Sequence, residues 1–79
     1  MNFGEWARAE VTRHGKTVTW LAREIGASSS LVIKWRTRGS NPKSDNFLLV
    51  CKVLSELSGV RLCEILERGA AAMGIEIEI

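Results

Sequence analysis

The sequence predicts a single all-α domain of five short helices. Three observations predict it: apolar residues recur with a helical period in five stretches, glycines fall between most of those stretches, and period-two alternation is confined to the last residues. Seventy-nine residues allow one small core, and an apolar fraction of 46% is enough to fill it.

A first helix is expected over residues 2–14, with Phe3, Trp6, Ala7 and Val11 along one side and Gly15 just past its end. His14 lies in its last turn, where capping or a phosphate contact is the role available to it. Thr17 can cap a second helix whose Val18, Leu21, Ala22 and Ile25 stand at offsets 0, 3, 4 and 7. Gly26 stops that helix. Trp20 falls off its inward stripe and either covers part of the first helix or stays exposed. Ser28 can cap a third helix, whose apolar residues are Leu31, Val32 and Trp35. Gly39 and Pro42 hold the next segment open, and Ser44 is the expected cap of a fourth helix carrying Phe47, Val50, Cys51 and Leu54 inward to about Leu57. Gly59 ends it. A fifth helix follows Val60, with Leu62, Ile65 and Leu66 inward, and Gly69 either ends it or kinks it, with residues 70–73 able to continue it. Gly4, Gly15, Gly26, Gly39, Gly59, Gly69 and Gly74 all read as punctuation between helices.

The stretch from Thr17 to Arg36 organises the rest. A turn of three to four residues forces its two helices to cross steeply, and Ala22 at the elbow leaves room for that crossing. The second of them is too short to stand alone, so Val32 and Trp35 must hold it and its other face is left free. Leu21-Ala22, Gly26, Ser28, Val32 and Trp35, then Gly39 and Pro42, resemble the helix-turn-helix of the phage repressor and Cro-like family, over about residues 3 to 68. The chain departs from that pattern at Val18, at Arg36 and in the late placement of Gly39. The resemblance implies a lambda-repressor-like fold, with residues 1–73 as a DNA-binding domain and 74–79 as a tail. It also implies a phage or prophage transcriptional regulator that occupies a palindromic operator as a homodimer. The short length favours a minimal Cro-like repressor without a sensor domain.

Charge agrees with that expectation. Residues 13–43 hold seven basic residues against Glu24 alone, a balance of +6, while residues 44–79 balance to −3. A local basic surface of this kind is the footprint of a partner rich in phosphate. Ser28, Ser29, Ser30, Ile33 and Lys34 are the candidate base contacts: serine donates or accepts, Ile33 offers methyl groups to thymine, and Lys34 can reach guanine O6 and N7. Lys16, Thr17, Arg36, Arg38, Lys43, Ser44 and Asn46 stand at helix ends and in the exit loop, where contacts to the DNA backbone belong.

Other chemistries find little support. The serine run has no histidine positioned beside it, no glycine loop cradles phosphate, and His14 has no partner ligands, so no catalytic residue, metal, cofactor or small-molecule ligand is expected. Cys51 and Cys63 both sit among aliphatic residues and read as a reduced, buried pair in a cytoplasmic protein. No apolar run spans a membrane, and the first residues lack the layout of a secretory signal. An antitoxin-type autoregulator and a protein-interaction domain without DNA binding are the alternatives.

Two features are left over. Leu48 and Leu49 extend an apolar run that one helix face cannot hide, and are either a dimer contact or buried beneath the chain termini. The tail alternates at Ile75, Ile77 and Ile79, a strand signature that pairs with a second copy at the dimer interface or stays frayed. With Leu49 these three isoleucines form the candidate dimer interface.

Overall fold

The computed structural model describes residues 2–75 and folds them into five helices. These are α1 (Phe3–Arg13), α2 (Val18–Ile25), α3 (Ser29–Thr37), α4 (Ser44–Ser58) and α5 (Leu62–Ala72), and among the described residues there is no strand. The radius of gyration is 11.3 Å. No described helix is long and apolar enough to cross a membrane.

The helix ends follow from local chemistry. Asn2 opens α1 with a reciprocal pair of bonds: its Oδ1 accepts the Glu5 N–H at 2.8 Å, and Glu5 Oε1 accepts the Asn2 N–H at 3.2 Å. Thr17 and Ser28 cap α2 and α3 by accepting the N–H groups of Trp20 and Leu31. Between those helices Gly26 takes φ +71°, which L side chains seldom adopt, and Ala27 N–H closes onto the Ala22 carbonyl at 2.9 Å. His14 caps the end of α1, its Nδ1–H donating to the Glu10 carbonyl at 3.1 Å. Lys43, not Ser44, occupies the N-cap of α4; Ser44 is already helical, and the Lys43 side chain makes no cap bond. The hydroxyl of Ser44 therefore does not start the helix. Gly69 lies inside α5, which continues to Ala72.

Phe3 is the hub of the core. Its fully buried ring meets Trp6 at 5.4 Å, Trp35 at 5.7 Å and Phe47 at 5.8 Å between centroids, so one residue of α1 joins α3 and α4. Ala7, Val11, Leu21, Ala22, Ile25, Val32, Val50, Cys51, Leu54 and Ile65 complete it. Each large aliphatic side chain buried there contributes about 1.5–3 kcal/mol. α4 lies against α1, α2 and α5, whereas α3 lies against α1 and α2 only. α3 is thus carried on the outside of the bundle.

Several expectations about direction are corrected. Leu31, the third apolar residue of the α3 pattern, is 36% exposed, since Val32 and Trp35 are the residues of α3 that point at the core. Leu62 is exposed as well, at the first position of α5. Cys63 is exposed and Cys51 buried, so the two are not a buried pair. Burial pushes the Cys51 thiol up from 9.0 to about 12. Gly4 and Gly69 are not punctuation: both are buried within helices. A side chain at Gly4 would lie 2.2 Å from the Arg36 backbone nitrogen. Trp20 does not stand free: it is half-buried and lines a groove with Val53 and Leu57 of α4.

Leu48 and Leu49 are exposed. Ile75 is exposed too, its N–H bonded to the Ala70 carbonyl at 2.8 Å in the turn that ends α5. The rest of the expected strand, including Ile77 and Ile79, lies outside the described residues.

Candidate nucleic-acid interface

The exposed face of α3 is assembled by helical spacing. Val32 and Trp35 take the inward side, each 2% exposed. Ser30, Ile33, Lys34 and Thr37 are thereby turned outward, and all four are exposed. Ser29 and Arg36 flank this stripe and are half-buried. Ser28 has part of its capacity committed: its Oγ accepts the Leu31 N–H at 3.2 Å, leaving the hydroxyl proton to offer outward. The free N–H groups of the first turn stand beside it.

The far end of α3 is fixed by polar bonds to its carbonyls. Arg38 N–H and Ser40 Oγ both donate to the Lys34 carbonyl, at 3.0 and 3.3 Å. Thr37 Oγ1 donates to the Ile33 carbonyl at 3.1 Å. Asn2 Nδ2 donates to the Arg36 carbonyl at 2.8 Å, across 34 residues of sequence. One amide side chain therefore caps the start of α1 and the end of α3 together. With Gly4 letting the α1 backbone approach that of Trp35 and Arg36, the α1–α3 seam is held by main chain on both sides.

Exposed cations stand just past the end of α3 and at the starts of α2 and α4. Arg38, Lys43 and Lys16 are exposed, and none of the three forms an ion pair among the described residues. Lys16 Nζ sits 5.2 Å from the Trp20 ring centroid, which orients the ammonium beside the start of α2 without neutralising it. Thr17, Lys43 and Ser44 are exposed at helix starts; Asn46 is half-buried, and its N–H is taken by Asp45 Oδ1 at 2.9 Å. The structure so gathers Ser28, Ser30, Ile33 and Lys34 on one exposed surface, while Ser29 and Arg36 are turned toward its edge.

Sequence reasoning missed a groove beside this surface. Glu5, Arg8, Thr12 and Arg13 of α1 face Arg36 and Thr37 of α3 across about 760 Å³. Glu5, Arg8 and Thr12 stand at helical spacing, so the polar stripe was present in the sequence, but its apposition to α3 is a product of the fold. Among the described residues no group of His, Cys, Asp and Glu is placed to hold a metal ion. Comparison with protein-family models, curated proteins and solved structures finds no match to this chain.

Proposed function

We propose that the chain is a sequence-specific duplex DNA-binding regulator that reads base edges with α3. The observation that carries this reading is the division of α3 into two sides. Val32 and Trp35 anchor it, and the opposite side offers hydroxyls, one lysine and the exposed Ile33, with Arg38 just beyond it in no ion pair among the described residues. A helix carried on the outside by two neighbours is free to enter a major groove. The α2–turn–α3 unit is read as a helix-turn-helix within a lambda-repressor-like domain, acting in the cytoplasm on operator DNA.

A single short helix with small side chains touches few base edges, so the working unit is a two-fold dimer on an inverted repeat, with half-sites about 34–36 Å apart. The exposed Leu48 and Leu49 of α4 and Leu62 of α5 are apolar side chains available for that association. The same exposed leucines favour a second reading, a module that docks on a protein without touching DNA.

Selection from a random duplex library, followed by competition with scrambled sequence, separates the two. Lys34→Ala is expected to relax preference at one base pair by about 1–3 kcal/mol. Arg38→Ala is expected to weaken all sequences alike and lower the salt slope by about one. Equal losses for the Lys34 variant on selected and scrambled duplexes would remove it from the reading set. Failure of the wild-type chain to enrich any duplex would favour the protein-docking reading.

A further inference from the structure

From the α1–α3 groove we infer a second DNA-backbone site, in which Arg8, Arg13 and Arg36 hold a phosphodiester that the exit loop does not reach. The inference rests on the DNA-binding reading and deepens it. Three arginines and one glutamate, Glu5, line the groove, a local balance of +2. Glu5 already spends one oxygen on the Asn2 N–H, and Arg13 shares Glu10 at 3.5 Å. Arg8 is exposed and in no ion pair among the described residues. Arg36 lines the groove from α3 and is half-buried; its Nε is buried and has no hydrogen-bond partner among the described residues, so the guanidinium is held by no competing acceptor there.

Position ties the groove to the DNA-facing stripe. Thr37 is one helical turn beyond Ile33 and Lys34 on α3 and is also a wall of the groove. A strand passing along the exposed face of α3 therefore reaches the groove at the end of that helix. The Asn2 amide and the backbone contact at Gly4 fix the two walls relative to each other, so the arginines are presented without a hinge. Guanidinium groups suit such a site because their planar donors match phosphate oxygens in pairs.

The test is the salt dependence of affinity for a short random-sequence duplex, measured by fluorescence anisotropy on the full chain. Arg8→Ala is expected to lower the slope of log K against log salt by about one. Arg8→Lys, which keeps a point charge there, should restore most of that slope. Arg68→Ala removes an exposed cation from α5, one that pairs with Glu64 at 3.7 Å, and should leave the slope unchanged. An Arg8→Ala slope equal to that of the wild type overturns the groove site while leaving the recognition reading intact. A wild-type chain with no affinity for duplex DNA overturns both.

Discussion

Gly4 and Gly69 are both buried helix glycines, yet they make opposite seams. At Gly4 an added methyl would meet the backbone of Trp35 and Arg36 at 2.2–2.6 Å, so nothing there can yield except a whole helix. At Gly69 it would meet the Phe47 ring edge at 3.0 Å, with Cys51 Sγ and the Trp6 ring at 3.3 Å, all of them side-chain atoms. The α1–α3 seam is backbone against backbone, locked by the Asn2 amide. The packing around Gly69 is side chain against helix. The difference matches what each region presents: α3 offers a polar, basic stripe whose geometry must be kept, whereas α4 and α5 offer exposed leucines that suit an adjustable apolar contact.

The strongest way to break this comparison is at Gly4. Gly4→Ala is expected to cost about 3 kcal/mol or more in urea unfolding, because α1 and α3 must separate to admit it. Gly69→Ala is the matched control. Its close contacts are offset by the better helix propensity of alanine, so stability should change by less than about 1 kcal/mol. Comparable losses at the two positions would erase the distinction.

Asn2→Ala comes next. It removes the α1 cap and strands the Arg36 carbonyl, and about 2 kcal/mol is expected from the two together. Duplex affinity should fall further than that of a variant equally destabilised in α5, because the end of α3 is released.

The cysteines sharpen the other side. The folded Cys51 thiol ionises only near pH 12, against 9.0 for the ordinary group. Folding thus favours the protonated thiol: the contribution is complete below pH 9 and is lost as pH rises toward 12. Unfolding free energy should fall by up to about 1.4 kcal/mol per pH unit in that window, a slope that Cys51→Ala lacks. In native protein a thiol reagent should label Cys63 first and reach Cys51 only on unfolding.

Leu48→Gln should have the smallest effect, within about 0.5 kcal/mol of wild-type stability. Leu49→Glu should likewise leave the monomer folded but weaken self-association in sedimentation. Unchanged association would detach the exposed leucines from the dimer.

Most of the helices were legible because their signals are local. Thr17 and Ser28 cap groups three residues away, and Phe3, Trp6, Ala7 and Val11 declare a face by spacing alone. Cys63 was also legible in principle. It falls two residues before Ile65, off the buried stripe, and its residue type misled where its spacing did not. Leu62 is a different case: it is in phase with Ile65 and Gly69 but opens α5, where periodicity cannot say that cover runs out. The groove and the two roles of Asn2 were beyond reach, since they depend on α1 and α3 meeting across 34 residues. Gly4 carried the clue that a backbone approaches there, but not which one.

The central claim is that α3, and not the set of exposed leucines, meets duplex DNA. Backbone amide shifts of the isotope-labelled full chain, followed through a titration with duplex, test it most directly. The account predicts the largest changes at Ser30, Ile33, Lys34 and Thr37, with further changes at Arg8 and Lys16 and little at Leu62. Changes centred on Leu48, Leu49 and Leu62 with α3 unmoved would contradict it.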